Sequence, residues 1–279
     1  MSFLSRTDRH CITVGHRVTS HLEYTANVFL MVYLSIRETL RDHTQGARTI
    51  LSVLASQIYF TGFQALPLIS ILALGSGTLV ILQSTTQLSL LGGTQMMGSL
   101  LVISVVREIG PLLTALVVIA RSGTAVASEI GNMRANREIE ALEVMGINPL
   151  SYIVFPRLVG GVISVLCLAM YFNMIALLGG FVLAKFLPVV QMQSLSFSFY
   201  LDLLMNAFDR ADLVLFLLKN TFSGTIIFIV CCYQGLSVRG SPTEVPVMTT
   251  QAVVKSMIYV VGFNLTVSSL FYLHQLGTL

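Results

Sequence analysis

From Thr49 to Val106, 58 consecutive residues contain no Asp, Glu, Lys or Arg. A transmembrane helix needs about 20 mostly apolar residues. The run therefore holds two spans and the turn between them. Soluble domains carry roughly 25% charged residues, whereas this chain of 279 residues is 10% charged and 54% hydrophobic. Disorder needs low hydrophobicity with high charge, so it is excluded as well. The net charge of +3 is too small to indicate nucleic acid as a partner. The expected fold class is an all-α integral membrane protein.

Residues 1–21 form a polar arm with Arg6, Arg9 and Arg17. The N-terminus has no apolar stretch directly after its charges, so no cleavable signal peptide is expected. Across residues 22–48, Leu22, Ala26, Phe29, Tyr33, Ile36 and Leu40 fall on one helical stripe. The fully apolar part is too short to span, which predicts an interfacial helix lying along the membrane. Spans are expected at about Ile58–Leu82, Met96–Ala120, Leu158–Ala184, Leu213–Val238 and Gln251–Leu273. A short helix is expected at Phe199–Phe208. With the N-terminus inside, twelve Lys and Arg lie on the inner side and two, Lys185 and Arg210, on the outer. That bias sets the expected orientation, with the N-terminus inside and the C-terminus outside. Cys11, Cys167, Cys231 and Cys232 have no CxxC spacing and read as small hydrophobes, and no metal site is expected.

Arg107 and Glu108 lie mid-way along the second span. An intramembrane charge costs at least about 2.5–3.5 kcal/mol and marks a candidate site. Adjacent helical residues point about 100° apart, so each needs a partner elsewhere. Pro111 lacks the N–H that would bond the carbonyl of Arg107, and Gly110–Pro111 should break the helix beside the charges. Lys219 is a third intramembrane charge, in the fourth span. Two readings stand. Glu108 and Lys219 form an ion pair that locks two helices, or Arg107 and Lys219 offer positive charge to an anionic ligand. The expected depths of Arg107 and Lys219 differ by about 7 Å along the membrane normal.

Arg134–Met145 is a second feature. Ala135, Ile139, Leu142 and Met145 follow one stripe, and Arg137, Glu140 and Glu143 occupy the other side. Gly146 and Asn148–Pro149 should stop this helix. It either lies on the membrane surface or docks a cytoplasmic partner. The chain has no GxxxxGK[ST], so it does not hold ATP by a P-loop. It also lacks HExxH and GxSxG.

REIGP at 107–111, ARSGTAVASEIGNMRANREIEALEVMGINPL at 120–150 and FPRL at 155–158 resemble the MlaE (YrbE) permease family. The resemblance covers most of the chain and implies one permease domain over residues 1–279, with the transmembrane bundle at 49–279. It implies an interfacial helix, five transmembrane helices and a cytoplasmic coupling helix. It further implies the membrane subunit of an ABC transporter in a bacterial inner membrane, moving phospholipid between inner and outer membranes. The implied partners are a second copy of the chain, a cytoplasmic ABC ATPase, a periplasmic MCE-domain protein and a STAS-domain protein. ATP and Mg would be bound by the ATPase, and this chain would bind no cofactor and carry out no bond chemistry. Arg107, Glu108 and Lys219 would contact phospholipid. Arg134, Ile139, Glu140, Leu142, Glu143, Met145 and Gly146 would couple to the ATPase. Arg137–Glu138 departs from the Glu-Gln pair usual in the family and reverses one charge on the docking helix. Two rival classes are a secondary transporter or channel, which the absence of internal repeats disfavours, and a membrane anchor for a periplasmic ring.

Overall fold

The computed structural model describes residues 26–28, 30–39, 47–91, 96–187 and 196–277. Among the described residues there is no strand. Five helical segments are long and apolar enough to cross a membrane. The polar arm expected at 1–21 lies outside the described residues, as do Leu22, Phe29 and Leu40 of the expected stripe.

Helix α1 comprises residues 26–28 and 30–39. Val28, Met31 and Ser35 are buried on one face, and the Ser35 hydroxyl donates to the carbonyl of Leu150 at 3.2 Å. Ala26, Tyr33 and Ile36, from the expected stripe, are exposed on the other face. The helix is apolar on both sides, so one side packs on protein while the other is left for lipid.

The first span is two helices, α2 (Ala47–Thr61) and α3 (Leu66–Leu91), joined by Gly62 and a 3₁₀ turn at Phe63–Ala65. The reason is Pro67. Proline is tolerated in the first turn of a helix and not in its interior, so the helix restarts at Leu66. Arg121 spans the break, its Nη1 donating to the Phe60 carbonyl at 3.3 Å and its Nη2 to Gln64 Oε1 at 2.8 Å. Backbone groups freed inside a membrane must find such partners.

Helix α4 runs from Met97 to Ala135 without interruption. At 39 residues it is about 58 Å long, well beyond the roughly 30 Å of a hydrocarbon core. The expected end at Ala120 marked where charge resumes, but charge ends an apolar slab and not a helix. Arg121 therefore belongs to α4. Two π-helical stretches, Val102–Ile109 and Ile119–Gly123, widen it. Helix α5 (Glu138–Val144) forms a short arm. Helix α6 covers Leu150–Phe186, beginning before the expected Leu158, so Arg157 also lies in a helix and not a loop. Helix α7 (Phe197–Ala207) sits close to its expected place. Helix α8 (Arg210–Leu236) and helix α9 (Val245–Gly277) complete the bundle.

Helix α8 is central and packs against α4, α6 and α9. Helices α3 and α6 approach closely at Gly77, where a Cβ would overlap the carbonyl of Ala176. Tyr200 of α7 is fully buried, stacks on Phe181 at 4.3 Å and donates its hydroxyl to the Leu177 carbonyl at 3.0 Å. Leu177 lies in a π-helical turn of α6, Ile175–Gly179.

Candidate functional site

Arg107 and Glu108 lie in the first π-helical stretch of α4 and diverge as expected, each toward a different residue of α8. Glu108 pairs with Lys219, whose Nζ is 3.2 Å from both carboxylate oxygens. Arg107 Nε forms an ion pair with Asp212. Asp212 and Lys219 are two helical turns apart and share a face of α8. Arg107 is ten residues into α4 and Lys219 nine into α8, so they lie level. The expected depth mismatch is absent because α8 begins at Arg210, three residues before its expected start, while α4 begins one residue after its own.

Lys219 is fully buried and makes three kinds of contact. Besides Glu108, its ammonium donates to the Arg107 carbonyl at 2.6 Å and to Ser268 Oγ at 2.7 Å. Ser268 of α9 in turn donates to Glu108 Oε2 at 3.0 Å. The Arg107 guanidinium also lies over the Phe271 ring, 5.1 Å from its centroid. Its Nη1 is buried with no hydrogen-bond partner among the described residues.

Gly110 and Pro111 do not break the helix. It continues through Gly110–Val118, and the distortion lies on the preceding side. There the Gly110 N–H bonds the Val105 carbonyl, a π-type step. The wider turn accommodates the proline ring without ending the helix. Gly110 serves a second purpose, since a Cβ there would overlap Asn173 Oδ1 of α6.

Asp212 escaped the sequence reading because it stands at the edge of a polar connection. A signal was present. Asp209 and Asp212 have the spacing of an N-terminal cap pair, and the structure forms that capping box. Asp212 Oδ2 accepts the Asp209 N–H at 3.0 Å, leaving Oδ1 for Arg107. Ser268 and Phe271 carried no such signal in an apolar helix. With Asp212 included, the cluster holds two acids and two bases and is balanced.

The helix expected over Arg134–Met145 is divided. Arg134 is in the last turn of α4, Arg137 takes a left-handed conformation with φ 61°, and α5 follows. The divide makes a corner closed by the Arg137 N–H on the Arg134 carbonyl at 3.1 Å. Arg134 reaches Glu140 at 3.8 Å. Ile139 is buried, at 2% exposure, and Leu142 is half-buried against the core. Val144 and Met145 are 88% and 65% exposed, alongside the exposed Glu140 and Glu143. Gly146, at φ 77°, ends the helix as expected. Its N–H bonds the Glu143 carbonyl at 3.0 Å, and that of Ile147 bonds Leu142 at 2.9 Å. These two bonds form a Schellman motif, which requires a left-handed residue.

The family model described as Permease MlaE matches residues 54–270. The chain belongs to this family. A probable ABC transporter permease protein of Rickettsia prowazekii is 32% identical over 224 residues, covering 80% of this chain and 84% of that protein. Another, from Rickettsia felis, is 28% identical over 260 residues, covering 93% and 96%. The intermembrane phospholipid transport system permease protein MlaE of Haemophilus influenzae is 26% identical over 221 residues, covering 79% and 83%. The chain is thus an ABC transporter permease of the MlaE family, a transporter subunit in a membrane.

Proposed function

We propose that this permease moves phospholipid between the inner and outer membranes of a bacterium. A separate ATPase, binding ATP and Mg, would dock on α5 and supply the energy. The observation that carries this reading is the α5 tip. It sets two large apolar side chains, Val144 and Met145, in the open beside acidic residues, at the end of a helix far longer than a membrane is thick. Exposed apolar groups outside the lipid slab call for a protein partner. Ile139 and Leu142 would anchor the arm from within, while Glu140, Glu143 and Met145 face the partner and Arg134 and Gly146 fix its ends.

The system would contain a second copy of this chain, a periplasmic MCE-domain ring and a STAS-domain protein on the ATPase. The α5 end would be cytoplasmic, with the N-terminus on that side and the C-terminus periplasmic. The lipid would meet Arg107, Glu108 and Lys219. Because Asp212 already pairs with Arg107, a lipid phosphate would compete with that carboxylate for the guanidinium. Arginine suits such exchange, because its planar fork accepts carboxylate and phosphate alike. Purification in mild detergent, with mass spectrometry of the co-purified proteins and lipids, tests the reading. An ATPase and phospholipid are expected to be retained. A preparation that retains neither and moves lipid unaided would overturn it.

A further inference from the structure

At the α5 end of the bundle, α2, α4 and α6 enclose a cavity of about 390 Å³. Its polar lining comprises Ser52, Ser56, Gln57, Glu129 and Arg157, with Phe60 on the wall. This lies in the size range of small-ligand sites. It is far from Arg107, which sits 22 residues, or about 33 Å, from Glu129 along α4.

Arg157 is the group that needs explaining. It is 8% exposed. Its Nη2 meets Glu129 Oε1 at 2.7 Å. Its Nη1 is buried with no hydrogen-bond partner among the described residues. An unsatisfied charged donor in a buried position is costly, and native structures rarely leave one. The carboxylate of Glu129 is 61% exposed, so water compensates Glu129 far more than it does Arg157. Ser52 and Ser56, one turn apart on α2, put two hydroxyls on the same cavity wall. Gly160 lets α6 close on this wall, because a Cβ there would stand 3.1 Å from Gln57 Cβ.

Arg157 is seven residues from the start of α6 and Glu129 six from the end of α4, about 10 Å inward in both cases. A buried guanidinium donor without a protein partner, on a cavity that two serine hydroxyls also line, suits an anion with several acceptor oxygens.

We propose that this cavity binds a phosphate group, that of a phospholipid headgroup or free phosphate. The site does not depend on the transport reading, since it is read on the purified chain without an ATPase. The chain contains no tryptophan, so Phe60→Trp places a single fluorescent reporter on the cavity wall. The full-length reporter protein in detergent is titrated with dihexanoylphosphatidylethanolamine. Dihexanoylglycerol, which lacks phosphate, and inorganic phosphate serve as the comparison arms. Native mass spectrometry of retained phospholipid in the unsubstituted protein runs in parallel.

A saturable emission change with the phospholipid and none with dihexanoylglycerol is expected. Arg157→Gln should weaken half-saturation at least tenfold, with Arg157→Lys between. Saturation by inorganic phosphate at the same concentrations keeps the phosphate site and makes free phosphate its ligand. An equal response to dihexanoylglycerol overturns the proposal, as does a monodisperse Arg157→Gln variant that binds like its parent. If Arg157→Gln does not fold, Glu129→Gln decides. It releases Nη2 of Arg157, so phospholipid binding should hold or strengthen, and weaker binding overturns the proposal.

Discussion

Lys219 donates to the very carbonyl of Arg107 that Pro111 leaves without its usual helical partner, at 2.6 Å. A proline at 111 cannot supply the N–H that would bond residue 107. An ammonium from α8 takes the place of a backbone donor from α4, so a defect in one helix becomes a joint between two. The same ammonium neutralises Glu108. Breaking a buried pair by removing one partner typically costs about 3–5 kcal/mol, because the other charge is stranded. Lys219→Met should therefore lower the thermal midpoint sharply in a fixed detergent. Glu108→Gln combined with Lys219→Met should recover at least half of that loss. Additive losses in the double variant would show that the pair is not coupled.

Asp212 offers a cleaner test of the competition at Arg107. Asp212→Asn keeps an oxygen for the Asp209 N–H and removes the charge facing the guanidinium. It should cost about 3 kcal/mol of stability and at least double the anionic phospholipid retained through purification. Arg107→Ala should reduce retained phospholipid. If Asp212→Asn retains no more lipid than the parent, Arg107 is a structural cation only.

On α5, exposure separates folding from docking. Val144→Asp with Met145→Asp alters two side chains that touch little of this chain, so the melting midpoint should stay within about 1 °C. Surface changes of this kind are usually worth within about 0.5 kcal/mol. Recovery of a co-expressed ATPase should fall at least tenfold. Ile139→Asp, which buries a charge, should instead reduce the yield of folded permease. Undiminished ATPase recovery with the paired tip variant would place docking elsewhere.

Gly77→Ala should destabilise by at least about 1–3 kcal/mol, the usual cost of overpacking, since a new Cβ would meet the backbone of Ala176. Gly75→Ala, where nothing lies within 4 Å, is the control and should be neutral or slightly stabilising. Equal melting of the two variants would mean that α3 and α6 can part at no cost.

Much of this was legible in the residues. Charge and hydropathy marked all five spans, and the adjacency of Arg107 and Glu108 foretold two separate partners. The stop at Gly146 followed from glycine's access to left-handed backbone. What was not legible shares a cause. The ends of α4 and α6 outrun their apolar stretches, because a helix persists wherever its backbone bonds do. The interruption at Gly62–Ala65 depends on a proline two residues later, whose effect reads as a kink or a restart depending on what caps the freed carbonyl. Asp212 became a site residue only once α8 brought its cap level with α4.

The geometry of α4 has a mechanical consequence. The helix links the arm at Glu138 to the charge cluster at Arg107 through one continuous backbone, with a single left-handed corner between rod and arm. From Arg107 to Ala135 is about 42 Å, so a rotation of about 5° at one end displaces the other by about 4 Å. The geometry of that lever is not uniform. Regular helix geometry gives way at the two widened turns, one holding Arg107 and the other Arg121. Along α4, strain applied at the arm meets first the widened turn of Arg121, whose side chain lies over Phe60, and then the turn of Arg107 and Glu108, which pair with Asp212 and Lys219.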